Sequence, residues 1–204
     1  MSNLVSILGA GESGVGSAIL AQKEGFDVWV SDSGQIKPQY KAELEKYGIA
    51  YEEGGHDVEK ILSSVKIVKS PGISDTVSIL KQAAEQNIQI EGEIEFAASY
   101  TNAVLIGITG TNGKTTTTLL THQLLQKAGL KVGLAGNVGY SFAKQVAEEN
   151  HEYYVLELSS FQLDGMHTVR LDYAVLLNIT PDHLDRYDSF QGYIESKFRI
   201  NNHQ

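Results

Sequence analysis

The chain has 204 residues, of which 42% are hydrophobic and 20% charged, enough for one large or two small globular domains and too apolar for a disordered chain. A net charge of −9 without a basic stripe excludes a nucleic-acid surface, and the absence of cysteine excludes disulfides and thiolate metal sites and fits a reducing compartment. The N-terminus enters strand-like sequence without a basic leader, and the longest clean apolar run, residues 174–177, is far too short to span a bilayer; a cytoplasmic protein with no membrane partner is expected.

In chain order, the apolar strand Leu4–Leu8 runs into Gly9-Ala10-Gly11-Glu12-Ser13-Gly14, a complete G-x-G-x-x-G. A helix is predicted over 15–23, closed by Gly25, then a strand over 26–30 that delivers Asp32 at its C-terminal end. Glycines so placed let the backbone approach a diphosphate at a helix N-terminus, and an acid 21 residues past Gly11 stands where a Rossmann unit binds a ribose. The alternative is a glycine turn that packs helix on strand, with Asp32 a solvated turn residue. A helix over 39–47, a strand over 49–51 and a loop follow; His56, set among acids and glycines, is assigned to the surface and given no role. Asp57 caps a short helix, and the strand Lys66–Lys69 is broken by Ser70-Pro71-Gly72-Ile73. A helix over 77–86 and a strand over 88–90 complete an alternation that predicts a doubly wound parallel sheet. Residues 9–14, Asp32 and 70–73 then share the rim beyond the strand carboxyl ends, where such sheets bind ligands. Residues 91–100 read as a short acidic–apolar helix acting as linker.

The second unit opens with the strongest signal in the chain, an apolar run from Val104 followed by Thr109-Gly110-Thr111-Asn112-Gly113-Lys114-Thr115-Thr116. A strand, a glycine turn and a helix carrying Lys-Thr in its first turn make a phosphate cradle: Lys114 reaches the terminal phosphates and the Thr115 hydroxyl joins a Mg²⁺ shell. The full pattern requires glycine at 108, where Ile108 stands; Gly107 comes one residue early. The helix is predicted to end at Ala128 with Gly129 beyond it, and a strand over 131–134 to end in Gly136-Asn137. A helix over 140–149, a strand over 153–158 carrying Glu157, a strand over 173–178 and a last helix over 190–200 bearing Lys197 complete the unit. Glu157 and His183 fall at the strand-end rim of this sheet, a hard and a borderline ligand suited to Mg²⁺ beside phosphates. Equally, Glu157 reads as a paired, partly buried acid and His183 as a capping or packing residue, while Lys197 alone reads as a solvated helix residue. The first glycine motif alone suggests an NAD(P)-dependent oxidoreductase, which has no use for Lys114-Thr115 at a second helix start.

Taken together, residues 109–115, Gly136-Asn137, Leu156-Glu-Leu-Ser-Ser-Phe-Gln162, Asp182-His-Leu-Asp-Arg-Tyr187 and Tyr193-Ile-Glu-Ser-Lys197 resemble the Mur ligases of peptidoglycan synthesis, over essentially the whole chain. The strings around Ser159 and His183 are similar to those of the family's D-glutamate-adding branch. The resemblance implies a Rossmann-like UDP-binding domain over 1–92 and a P-loop α/β ATP-binding domain over 93–204. It implies ATP and Mg²⁺ as cofactors, and UDP-N-acetylmuramoyl-L-alanine and D-glutamate as substrates of a monomer that forms an amide through an acyl phosphate. Gly110, Thr111, Asn112, Gly113, Lys114, Thr115 and Thr116 would hold ATP. Thr115, Glu157, His183 and a carbamylated Lys197 would hold metal, Lys114, His183 and Lys197 carrying the catalysis. Gly11, Glu12, Ser13, Asp32, Ser33, Ser70, Gly72, Asn137, Ser159 and Gln162 would bind the UDP substrate, although the acid at Glu12 departs from a diphosphate cradle. The sequence stops at Gln204, where the family continues through the rest of the central domain and a C-terminal one. Residues 1–204 are therefore expected to be a truncated piece, inactive alone and reduced to a UDP-precursor binding module.

Overall fold

The computed structural model describes residues 3–182, 186–187 and 189–201. Two parallel sheets are present. In the first, β1 (Leu4–Leu8), β2 (Asp27–Asp32), β3 (Ala50–Glu53), β4 (Lys66–Lys69) and β5 (Gln89–Gly92) take the order β3-β2-β1-β4-β5. In the second, β6 (Val104–Thr109), β7 (Val132–Gly136), β8 (Tyr153–Glu157) and β9 (Tyr173–Leu176) take the order β7-β8-β6-β9. In each, the first strand lies where the strand order reverses, and the crevice beyond its carboxyl end is the natural ligand site of an open α/β sheet.

The sequence explains the placement of the central strands. Val5, Ile7 and Leu8 in β1, and Tyr154, Val155 and Leu156 in β8, are buried, the near-continuous apolar runs that strands covered on both faces require. The edge strand β9 instead alternates, with Tyr173 and Val175 exposed. Helix α1 (Glu12–Lys23) is buried from Gly14 to Ala21 because it is pressed between its own sheet and α7 (Phe142–Glu148) of the second. A Cβ on Gly16 would lie 1.9 Å from Ser141 Oγ, so only glycine permits that approach. Lys144 pairs with Glu43 in α2 (Pro38–Lys46), Lys23 donates to the Ala147 carbonyl, and Tyr47 donates to Glu148. One apolar cluster runs unbroken from Val5, Leu20 and Val30 through Ile94 and Phe96 to Phe142, Tyr154 and Leu163.

The stretch expected to be a linker is different in kind. Helix α5 (Glu93–Ala98) is buried along Glu93, Ile94, Glu95, Phe96 and Ala97. Glu91 pairs with Lys66 at 2.8 Å. Glu93 accepts from Ser141 Oγ at 2.5 Å and Ala143 N at 3.2 Å, at the start of α7. Glu95 accepts from the backbone N–H groups of His167 and Thr168 at 2.9 Å and of Val169 at 3.2 Å. Glu93 and Glu95 thus accept from backbone donors that burial would otherwise leave unpaired.

Candidate functional site

The phosphate-loop candidate lies between β6 and α6 (Lys114–Lys127), with Gly113 in the left-handed region (φ +84°) as its N-cap. Thr111 N donates to the Asn178 carbonyl at 3.0 Å, Asn112 N to Asn178 Oδ1 at 2.9 Å, and Asn178 Nδ2 returns a bond to the Asn112 carbonyl at 3.0 Å. Thr111 Oγ1 accepts from Thr180 N at 3.0 Å and lies 3.2 Å from the Tyr193 hydroxyl. The loop is thus held in shape by the segment after β9, which leaves the first-turn amides of α6 without intrahelical acceptors and open to an anion. Lys114 Nζ donates to the carbonyls of Gly110 and Thr111, both at 2.9 Å, so the ammonium lies over the loop mouth. Thr115 and Thr116 are exposed in that first turn.

Lys197, on α9 (Phe190–Phe198), is not a solvated helix residue: it is 2% exposed, and its Nζ donates to the Gly110 carbonyl at 3.0 Å. It therefore shares an acceptor with Lys114. Burial, and next the Lys114 ammonium, push its pKa down from 10.5 to about 8 against the opposing Asp182. Glu157, at the end of β8, is 1% exposed. Its Oε1 accepts from Asn137 Nδ2 at 3.2 Å, and its buried Oε2 has no partner among the described residues. A Cβ on Gly136 would lie 2.2 Å from the Glu157 carbonyl, which explains the glycine before Asn137. Lys114, Asn137, Ser159, Tyr193 and Lys197 line one cavity of about 280 Å³, which Gly72 of the first sheet's rim also lines. Arg186 closes on the same rim, its guanidinium 3.9 Å from the Phe161 ring and donating to the Pro71 carbonyl at 3.2 Å.

The rim of the first sheet has a cavity of its own, of about 490 Å³, between Gly9, Asp32, Ser33, His56, Gly72 and Val77; in chain order it is the first cavity and the lysine-lined one the second. Its glycine loop is stiff. Gly9 has φ +88°, and a Cβ on Gly14 would lie 1.8 Å from the Gly9 carbonyl. Asp32 accepts from Ala10 N at 2.7 Å and Gly34 N at 2.8 Å, and Ser70 Oγ donates to the Gly9 carbonyl at 3.3 Å. Glu12 and Ser13, expected at the diphosphate, turn toward α7 and α5. Glu12 Oε1 accepts from Ser141 N at 3.4 Å, and Ser13 bonds the Glu93 carboxyl, which burial pushes up against that and other hydrogen bonds. Gln162 is likewise occupied: it and Ser159 form a reciprocal capping box at the start of α8 (Ser160–Asp164), a helix the S-x-x-Q spacing signals. The structure so brings Asp32, Ser33 and Gly72 together in one cavity and Lys114, Asn137, Ser159 and Lys197 in another, with Gly72 common to both. His183 lies outside the described residues. Asn178, Thr180, Tyr193 and His56 were missed, the first three because their partners are 66 to 82 residues away in sequence.

The amino-terminal half, residues 3–92, matches the model for the MurD-like N-terminal domain of Mur ligases, and residues 108–204 match the Mur ligase middle domain. The chain belongs to the Mur ligase family. It is 59% identical over 201 residues to a UDP-N-acetylmuramoylalanine–D-glutamate ligase of Porphyromonas gingivalis, an alignment covering 98% of this chain and 45% of the relative. It is 50% identical to the ligase of that name from Christiangramia forsetii, covering all of this chain and 46% of the relative. The chain thus spans about half the length of the curated relatives it matches. Among solved structures, the Mur ligase fold recurs in a UDP-N-acetylmuramate:L-alanyl-gamma-D-glutamyl-meso-diaminopimelate ligase from Neisseria, with TM-score 0.66 at 21% identity, covering 98% of this chain and 68% of that one. It recurs in the UDP-N-acetylmuramate-alanine ligase of Thermotoga maritima, with TM-score 0.61 at 20% identity, covering 96% and 46%.

Proposed function

We propose that the protein bearing these residues joins D-glutamate to UDP-N-acetylmuramoyl-L-alanine at the expense of ATP, as a cytoplasmic monomer, with residues 1–92 holding the UDP end and 93–204 the ATP phosphates. The observation that carries this reading is Gly72, which lines both cavities. A long ligand anchored by its nucleotide in the first reaches the lysine-bearing second without leaving the surface.

The residues present fit ATP and Mg²⁺. An open helix N-terminus with Lys114 above it suits a triphosphate. The unpartnered Glu157 Oε2 and the Thr115 hydroxyl are hard oxygen donors, and Mg²⁺ is commonly held by one or two carboxylates together with substrate phosphates. When bound, Mg²⁺ supplies charge neutralisation on the transferred phosphoryl group. Lys114 exchanges its two backbone carbonyls for phosphate oxygens and holds the group in line with the alanyl carboxylate. That carboxylate oxygen bonds to the γ-phosphorus as the bond to the β-phosphate oxygen breaks, giving an acyl phosphate and ADP. The D-glutamate amine attacks the carbonyl carbon, phosphate departs, and the amine's extra proton is lost to solvent or base. Lys197, with its amine pushed to about 8, holds a neutral fraction near pH 7.5 that can add CO₂ and lose a proton, giving a carbamate that presents oxygens where an ammonium stood.

The test is phosphate release by the whole protein given ATP and UDP-N-acetylmuramoyl-L-alanine, with and without D-glutamate. A product heavier by one glutamyl residue is expected only when all three are present. Equal turnover with another amino acid would remove the D-glutamate assignment, and UDP-precursor binding without any phosphate release would reduce the protein to a binding module.

A further inference from the structure

His56 stands in the loop after β3 and lines the first cavity beside Asp32 and Ser33. Its Nδ1 is 2.6 Å from Ser31 Oγ. Ser31 is fully buried, and its Oγ is also 2.6 Å from Glu52 Oε1. A serine hydroxyl has one proton, and Glu52 Oε1 is the point on which three donors converge: Ser31 Oγ, Trp29 Nε1 at 3.2 Å and Asp57 N at 2.8 Å. The Ser31 proton therefore goes to Glu52. The contact between Ser31 and His56 then requires the imidazole to donate, Nδ1–H to Oγ. In the neutral ring this fixes Nε2 as an acceptor, and Nε2 has no protein partner among the described residues. Each carboxylate oxygen of Asp32, the other acceptor at this rim, takes a backbone N–H from the loop, so His56 Nε2 is the acceptor of this pair that carries no protein hydrogen bond.

We infer that His56 is a specificity-determining residue of the first cavity, whose Nε2 accepts the imide N–H of a uracil ring. This rests on the assignment of the cavity to the UDP end of the substrate. The apolar walls given by Leu8, Val58, Ile73 and Val77 suit the faces of a planar base, and uracil carries a single ring N–H donor once joined to ribose. The buried Glu52–Ser31 pair acts as the positioning element that sets the tautomer, much as outer-sphere partners orient a histidine ligand.

Calorimetry with UDP and its N3-methyl derivative tests the inference on the wild-type chain, His56→Phe, His56→Gln and Ser31→Ala. The wild type is expected to prefer UDP over the methylated nucleotide by about tenfold or more, the worth of one hydrogen bond left unmade. His56→Phe should lose that preference by weakening UDP alone, and His56→Gln, which offers a carbonyl acceptor, should restore part of it. Ser31→Ala, which frees the tautomer, should weaken UDP less than His56→Phe does. Retention of the full preference in His56→Phe overturns the inference while leaving the UDP assignment intact. Absence of UDP binding to a folded wild-type chain overturns the cavity assignment and this inference with it.

Discussion

The two glycine loops of this molecule are built alike and equipped differently. Both follow the central strand of a parallel sheet and both lead into a helix, yet among the described residues no lysine or arginine lines the cavity beside the first loop, whereas Lys114 and Lys197 both reach the Gly110 carbonyl of the second. The first loop is closed by Asp32 and Ser70, and the opening turn of its helix is taken up by α5 and α7. The second is braced from behind by Asn178 and left open in front. Glycines therefore provide a surface on which backbone can approach a ligand; the side chains around them decide which part of the ligand comes. A cavity with Asp32, Ser33 and His56 suits the neutral end of a nucleotide, and one with two amines suits its phosphates.

Removing one amine gives the largest effect. Lys114→Ala is expected to weaken ATP binding by about a hundredfold, the loss of charge-assisted bonds to phosphate, while UDP affinity stays within about threefold. Comparable losses of both ligands, read by calorimetry, would show that the loops do not divide the work in this way. The rigidity of the first loop is tested by Gly14→Ala. Its Cβ meets a backbone carbonyl at 1.8 Å, so a cost of about 3 kcal/mol and a Tm lower by roughly 6–12 °C are expected. Gly11→Ala, whose Cβ meets nothing within 4 Å, is its control and should cost under about 1 kcal/mol; equal thermal shifts would mean the loop yields.

The second loop bears a charge that burial disfavours, and pH exposes it. Lys197 has a folded pKa of about 8 against 10.5 free. The unfolded chain binds the extra proton between those values, so the penalty is fully present below pH 8 and is relieved as pH rises toward 10.5. Lys197→Met should therefore be more stable than wild type by about 1–3 kcal/mol at pH 7, after the lost bond to Gly110 is deducted. That advantage should shrink by pH 10, measured by urea titration. A pH-independent difference would mean the amine is not held as described.

The parallel sheets and both loops were legible because strand runs, glycine breaks and caps are local signals. Even β9 and α9 were placed within two residues of their observed ends. What stayed hidden depends on contact across the sheets. Lys197 looks solvated in Tyr193-Ile-Glu-Ser-Lys197 because nothing local says that its Nζ will reach Gly110, 87 residues earlier. Asn178 follows β9 by two residues and braces a loop 66 residues before it in sequence. His56 sits among acids and glycines that imply a surface, and only the pairing of β2 with β3 brings Ser31 level with Glu52 and His56 within reach. Asp32 was read from its spacing, but which of its oxygens are spent on the loop is a tertiary fact.

The three glutamates of residues 91–95 carry a consequence for how the molecule can be taken apart. A tether between two sheets is ordinarily where a protease enters, since cleavage needs some residues drawn out in extended form. Here Glu91 is paired with Lys66, Glu93 accepts from the start of α7, and Glu95 holds the turn at 167–169. Stripping out this segment would unpair donors belonging to both sheets at once, so the crossing opens only when much of the molecule does. Digestion under native conditions should spare it and begin at the exposed face of α6, where Leu119, Leu120 and Leu124 are exposed, and the two halves should melt together rather than in sequence.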